Sequence, residues 1–311
     1  MLTPTLRSKL RKLKRYRAYR VVDIPRRMYY LWRWNIGNVG LALKWVFLSP
    51  EDTNFTYQIQ PISRDYLASV VAAATGATLE QVLALFDEAE RDDDLRRSIH
   101  AATKASNYRY ISRPDPEFGR RLAWYAIVRL TKPRVVVETG VDKGLGGVLL
   151  CAGLRKNTAE GHPGRYFGTD LNPEAGWLIQ PPYSDVGTML YGDSLESLNV
   201  LDEEIDMFIN DSDHSVDYEA AEYRAVSAKL SDSAVIVSDN AHASGALLQF
   251  AAASGWRFLF APEYSKGHWY PGAAVGLAFR RFPHEKPSKV ASVRQIASDR
   301  EAVSESREAR G

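Results

Sequence analysis

The rhythm of polar and apolar positions changes near residue 134. Downstream, short runs rich in β-branched and aromatic residues alternate with stretches of helical period. The runs are "RVVVE" (134–138), "RYFGTD" (165–170), "TMLYG" (188–192), "IDMFIND" (205–211), "SAVIVSD" (233–239), "WRFLFA" (256–261) and "AVGLAFRR" (274–281). Several are continuously apolar rather than alternating, the pattern of strands buried on both faces. Seven such strands with helices between them predict an α/β, Rossmann-like, doubly wound and mostly parallel sheet. The last two runs are joined by "PEYSKGHWYPGA", which has no helical period. With no crossover helix there, the final strand is expected to be antiparallel to its neighbour.

Upstream of 134 the period is helical. "RDYLASVVAAAT" and "TLEQVLALFDEAERDDDLRRSIHAAT" flank Gly76, with Thr78 and Gln81 at capping-box spacing. "SRPDPEFG" (112–119) breaks the pattern with two prolines, and "RRLAWYAIVRLTK" (120–132) reads as a helix leading into the sheet. The expected division is an N-terminal arm (1–50), a helical accessory region (51–133), the principal domain (134–282) and a charged tail (283–311). The tail is nearly free of aromatics and is expected to be disordered or weakly helical.

Composition sharpens this picture in two places. The single cysteine, Cys151, excludes an intrachain disulfide and fits a reducing compartment; nothing resembles a cleavable signal peptide or a run of about 18 uninterrupted apolar residues. The expected location is therefore cytoplasmic. The net charge of +2 is unevenly spread, because residues 1–27 hold ten Lys or Arg against the single acid Asp23. The aromatic stretch "MYYLWRWNIGNVGLALKWVFL" (28–48) follows, interrupted by Arg33, Asn35, Asn38 and Lys44. Basic residues ahead of an aromatic amphipathic segment suit an anchor on an anionic membrane surface, at the inner face of the membrane. The alternative is an arm packed on its own domain or on a second subunit, giving a homo-oligomer. Nucleic acid is not the expected partner, since no recognisable module accompanies the basic residues.

In doubly wound sheets ligands sit at the carboxyl ends of the strands. The first strand runs into "ETGVDKGLGG", where Glu138 ends the strand and Gly140 and Gly144 let the backbone turn tightly beside a ligand. The second strand ends in Asp170, placed to accept from ribose hydroxyls, and the third in "GDS", with Asp193 available to an adenine-type ring. The glycine spacing does not fit G-x-G-x-x-G, and Glu138 and Asp142 would repel a pyrophosphate. An acid at this point suits a cationic cofactor. The fourth strand ends in "NDSDHS" and the fifth in "SDN", so Asp211, Asp239 and Asn240 come from adjacent strand ends as hard oxygen donors of the kind Mg²⁺, Mn²⁺ or Ca²⁺ prefers. His214 follows three residues after Asp211. Simple alternatives stand beside each assignment: turn glycines, and a helix cap for the residues around Ser212 and Ser215.

The E-x-G-x-x-x-G loop, the ribose acid and the strand order resemble the class I S-adenosylmethionine-dependent methyltransferases over residues 134–281. The strand-end acids and the "DSDHS" turn resemble the metal-dependent O-methyltransferase, antibiotic-sugar methyltransferase and cephalosporin hydroxylase-like branch. The resemblance implies that Glu138, Gly140, Gly144, Asp170 and Asp193 hold S-adenosylmethionine. It further implies that Asp211, Asp239 and Asn240 bind a divalent metal such as Mg²⁺, and that His214 is the general base. Imidazole is the side chain that ordinarily titrates near neutral pH. Many catechol-type members carry lysine where this chain has His214, which favours a sugar, glycan or aliphatic hydroxyl over a phenol. The rivals are a hydroxylase-like metal enzyme on the same fold and a non-catalytic nucleoside-binding scaffold. His242 and His268 are candidates for the substrate pocket or ordinary loop histidines, Trp269 and Tyr270 are candidates to stack on a sugar ring or simply to pack, and "TNFTY" (53–57) is either a lid over the cofactor or a plain connector.

Overall fold

A computed structural model describes residues 19–52 and 55–280. The basic arm up to residue 18, Thr53 and Asn54 of the expected lid, and the tail from 283 lie outside the described residues. Among the described residues the strands are β1 (Gln58–Ile59), β2 (Val135–Thr139), β3 (Arg165–Asp170), β4 (Gly187–Tyr191), β5 (Ile205–Asn210), β6 (Leu230–Ser238), β7 (Arg257–Pro262), β8 (Ser265–Lys266) and β9 (Ala274–Phe279). The helices longer than one turn are preceded by α1 (Tyr19–Val22). They are α2 (Ile24–Trp34), α3 (Val39–Leu48), α4 (Pro61–Thr75), α5 (Leu79–Glu90), α6 (Asp93–Ala105), α7 (Leu122–Thr131), α8 (Leu145–Ala159), α9 (Ser194–Val200), α10 (Val216–Ser227) and α11 (Ala246–Ser254).

Seven strands form one sheet in the order β4-β3-β2-β5-β6-β9-β7. The first five run parallel, and β9 is antiparallel to both β6 and β7. The antiparallel final strand is as expected, and it lies between β6 and β7. The continuous apolar run of β2 explains its place at the centre: every residue from Val135 to Thr139 is buried. The order reverses between β2 and β5, which places the crevice for a ligand at the ends of β2, β3 and β5.

Helices cover both faces of this sheet. On one side α8, whose apolar residues are almost all buried, packs beside α7, where Leu122 to Val128 are buried without interruption. Leu67, Val71, Phe86, Leu95 and Trp124 from the region upstream of 134 share one core with Val136, Met207 and Val235 of the sheet. The accessory region is thus part of the same core. On the other side Leu198, Tyr223 and Leu247 pack against Val137, Phe208 and Ile236.

Two local features differ from the sequence expectation. The stretch from Thr78 to Thr103 is two helices, because the Asp92 side chain accepts from Leu95 N at 2.9 Å and starts α6. Short β1 and β8 pair antiparallel and fasten the segment around Tyr57 to the 263–273 loop. Neither two-residue strand carries a readable period.

The Thr78 and Gln81 capping box is formed reciprocally at the start of α5. Thr78→Ala should therefore lower stability by about 1 kcal/mol, whereas Thr78→Asp should retain most of it. Urea unfolding midpoints measure this; equal midpoints for all three proteins would show that the box contributes nothing.

Candidate active site

The carboxyl ends of β2, β3 and β5 form a cleft of about 380 Å³ lined by Gly140, Asp142, Thr169, Asp170, Asp193, Asp211 and Tyr218, among others. A second cavity of about 340 Å³ shares Gly140, Asp142 and Asp211 with it, and adds Phe55, Tyr57, Arg120, Arg121, His214, Asn240 and Tyr270. The two are contiguous. A larger cavity, about 620 Å³, lies at the amino ends of β2 and β5 beside Lys132, Arg134 and Asp206, away from these residues.

The seam between the two cavities depends on Gly140. Its φ is +79°, and a Cβ there would lie 2.1 Å from the Asp211 carbonyl oxygen. Only glycine lets the exit of β2 pass this close to the exit of β5. Asp142 also has positive φ, and its N–H donates to Asp170 Oδ2 at 2.8 Å. Asp170 Oδ1 accepts from Asn172 N at 2.8 Å, so both oxygens are fixed in place while each retains a lone pair toward the cleft. Thr169 borders the same cleft, with its hydroxyl oxygen buried and without a hydrogen-bond partner. A glycine cradle and an oriented carboxylate together fit a nucleoside with ribose hydroxyls. Asp193 lines the cleft but is committed first to structure: its Oδ1 caps α9 through Leu195 N at 2.8 Å, and its Oδ2 accepts from Tyr218 Oη at 3.2 Å. Tyr218, which was not foreseen, is the aromatic surface available to a ring.

Glu138 is a correction. It lies one residue before the strand ends, is buried, and lines neither cavity. Its Oε2 accepts from Tyr166 Oη at 2.6 Å, and Oε1 lies under Gly146, where a Cβ would approach it to 2.7 Å. Burial raises its pKa from an ordinary 4.5 to about 8, against the opposing effects of Tyr166 and Arg121. At neutral pH it is mostly a neutral acid inside the core, so it does not supply charge to a cationic cofactor.

The expected metal ligands do meet, but they meet two arginines. Asn240 Nδ2 donates to Asp211 Oδ1 at 3.3 Å and to His214 Nε2 at 2.9 Å. Arg120, from the turn preceding α7, is ion-paired with fully buried Asp239 and reaches Glu263 Oε1 at 3.2 Å. Arg121 approaches Asp211 Oδ2 at 3.8 Å and lies over the Trp124 ring. Burial pushes both carboxyls up, but Arg120 and Arg121 hold Asp239 below its ordinary range. Burial together with the negative charge on Asp239 keeps Asp211 well above its own. A proton held by Asp211 toward Asp239 accounts for both directions. A divalent ion on Asp211, Asp239 and Asn240 would have to displace a buried guanidinium from Asp239, and Asn240 presents its N–H rather than its oxygen to Asp211. This donor set does not fit a metal, and no cluster of three or more acidic, histidine or cysteine side chains among the described residues offers another. The metal assignment fails because the sequence gives no sign that residues 120 and 121 reach the strand ends.

His214 lines the second cavity and is about one-third exposed. Its Nδ1 has no hydrogen-bond partner and stands 3.9 Å from Glu219 Oε1, which also has none. Glu219 is buried and held from its other oxygen by Ser244 Oγ at 2.6 Å. A small rotation of the ring makes an imidazole–carboxylate pair. The aromatic wall opposite is built by Phe55, Tyr57 and Tyr270, with Phe55 5.1 Å from Tyr270 between ring centres. The Tyr57 hydroxyl donates to Glu263 Oε1. Phe55 and Tyr57 therefore line the second cavity rather than the nucleoside cleft. His268 lies behind them, bonded to Glu51, and Trp269 meets Phe55 edge to face at 5.4 Å; neither lines the cavity. His242 is likewise outside both cavities.

Residues 137–241 match the family model described as a methyltransferase domain. No curated protein matches the chain. Among solved structures, an O-methyltransferase of tomaymycin synthesis from Streptomyces achromogenes, in complex with S-adenosylmethionine, is 17% identical. It covers 60% of this chain and 90% of its own, with a TM-score of 0.46. An O-methyltransferase from Bacillus cereus with S-adenosylhomocysteine is 15% identical, covering 61% and 92% with a TM-score of 0.46. A methyltransferase from Podospora anserina with S-adenosylhomocysteine is 15% identical, covering 63% and 93% with a TM-score of 0.45.

Glu138 has a folded pKa above its unfolded value, so the folded state binds the extra proton between pH 4.5 and about 8. Its contribution to stability is complete below that window and is lost as pH rises through it. Glu138→Gln should remove this component: chemical unfolding of the variant should show a shallower fall in stability from pH 5 to 8 than the wild type, and parallel curves would contradict the assignment. For the arginine, Arg120→Ala leaves Asp239 and Glu263 buried without their cation, which should cost about 3–5 kcal/mol. The wild-type melting temperature should be the same in chelator and in Mg²⁺. A rise on adding Mg²⁺, abolished in Asp239→Ala, would restore the metal site.

Proposed function

We propose that the chain, whose residues 137–241 match a methyltransferase domain, is an S-adenosylmethionine-dependent enzyme that transfers the methyl group to a hydroxyl oxygen of a small acceptor, a sugar or glycan hydroxyl, without a divalent metal. The observation that supports this most is the second cavity, which opens onto the cofactor cleft at Gly140 and Asp211 and holds His214 on its wall. Its mixture of flat rings with Asn240, Arg120 and His214 suits an acceptor that has both an apolar face and hydroxyl groups.

When bound, S-adenosylmethionine supplies a methyl carbon on a sulfonium, open to in-line attack by oxygen. The chain's residues do the rest. Asp170 holds ribose hydroxyls, and Gly140 and Asp142 form the floor over which the methyl group reaches the acceptor. His214 Nε2 takes the hydroxyl proton as the oxygen bonds to carbon, releasing its contact with Asn240, while Glu219 receives Nδ1–H and stabilises the imidazolium. The carbon–sulfur bond breaks and its electrons stay on sulfur, so the cofactor's positive charge disappears and the proton remains on His214. Arg120 neutralises Asp239, and the proton on Asp211 leaves that carboxyl uncharged beside the reacting groups, so no uncompensated negative charge opposes the developing oxyanion. Much of the acceleration comes from holding the two reactants together.

Labelled methyl transfer from S-adenosylmethionine to a panel of glycosides and aliphatic alcohols tests this reading. His214→Ala should lower turnover by roughly 10²–10⁴-fold with little change in cofactor affinity. Glu219→Gln should fall between that variant and the wild type. Undiminished turnover in His214→Ala would remove the base from the mechanism. Transfer to amine or thiol acceptors but no hydroxyl would overturn the acceptor class.

A further inference from the structure

Helices α2 and α3 expose far more apolar surface than a soluble domain normally leaves open. Met28, Leu31 and Trp32 on α2 are 62%, 53% and 57% exposed, and Val46, Phe47 and Leu48 on α3 are 59%, 75% and 74% exposed. No residue of α3 is buried. Arg26, Arg27, Arg33 and Lys44 stand among these side chains, and the only acid in the first 50 residues, Asp23, is already paired with Arg26 and Arg27 at 2.9 and 3.5 Å. At 11 and 10 residues these helices are about half as long as a bilayer crossing requires. No single helix among the described residues is long and apolar enough to cross a membrane.

We propose that α2 and α3 lie in the interface of an anionic lipid bilayer, inserting the Val46–Leu48 end of α3 among the acyl chains while the arginines and Lys44 meet headgroup phosphates. Tryptophan, tyrosine and arginine are the side chains suited to that depth. The composition argues for lipid over the other occupants. A second copy related by a twofold axis would bring one strongly basic arm against another, and nucleic acid would engage the cations while leaving Phe47 and Leu48 in water.

The surface is connected to the proposed acceptor cavity. Trp45, on the face of α3 turned toward the domain, lies 5.2 Å from the Trp269 ring and 5.6 Å from the Phe55 ring, and Phe55 lines that cavity. Its Nε1 donates at 3.1 Å to buried Glu51. Burial pushes Glu51 up, but hydrogen bonds from Thr56 and the charge of Arg113 outweigh it and hold the carboxylate below its ordinary range. Docking therefore sets the aromatic wall of the cavity beside the membrane.

The test is vesicle sedimentation with the full chain, comparing phosphatidylcholine alone with phosphatidylcholine containing phosphatidylglycerol. The wild type should sediment with the anionic vesicles only, less so at high salt. The variant Val46→Asp/Phe47→Asp/Leu48→Asp should bind them at least about tenfold more weakly, since fully burying even one such side chain contributes that much. Its S-adenosylmethionine affinity should be unchanged, which excludes unfolding as the cause. Equal sedimentation of variant and wild type would overturn the proposal. So would a wild type that ignores vesicles, whether it instead forms a dimer that the variant cannot form or binds RNA.

Discussion

The buried ion pair between Arg120 and Asp239 is the contact on which the site depends. It joins three stretches far apart in the chain: the turn before α7, the exit of β6 and, through Glu263, the loop between β7 and β9. A guanidinium this deeply buried persists only where its charge is matched, and here two carboxylates match it. The same pairing sets the protonation of Asp211, because the negative charge on Asp239 makes a second one beside it unfavourable. One arginine thus orders a backbone junction and fixes the charge of an active-site floor.

That floor separates two cavities with different chemistry. On one side, Asp170, held by the N–H groups of Asp142 and Asn172, borders a cleft suited to a nucleoside. On the other, rings, an amide and an imidazole surround a space suited to an acceptor. They meet where the absence of a side chain at Gly140 lets β2 and β5 exit almost in contact. The acid cluster that resembles a metal centre is instead neutralised from within the chain, and His214 touches it only through Asn240. A cation carried by a helix turn is permanent, whereas a metal ion would come and go with its concentration.

The sheet was readable because β2, β5 and β6 are continuous apolar runs, a pattern that only a two-sided core requires, and the missing helical period between β7 and β9 revealed the antiparallel strand. The acids at the ends of β3 and β5 were readable for the same reason: strand ends point at the crevice. Glu138 was misplaced because a shift of one residue along a strand moves a side chain from the crevice to the core. Arg120 and Arg121 carried no signal, since two charges ahead of an apolar helix look like an exposed first turn. Glu219 reads as one more acid in the first turn of a helix, and its spacing of five residues from His214 does not by itself show that the two side chains face each other. The position of β9 between β6 and β7 depends on long-range pairing, which local pattern does not encode.

The most direct test of the account is calorimetric titration of S-adenosylmethionine into the full chain in the presence of chelator, with NAD as the comparison ligand. The account predicts saturable binding of S-adenosylmethionine alone, weakened in Asp170→Ala and blocked in Gly140→Val. Absence of binding, or equal binding of NAD, would contradict it.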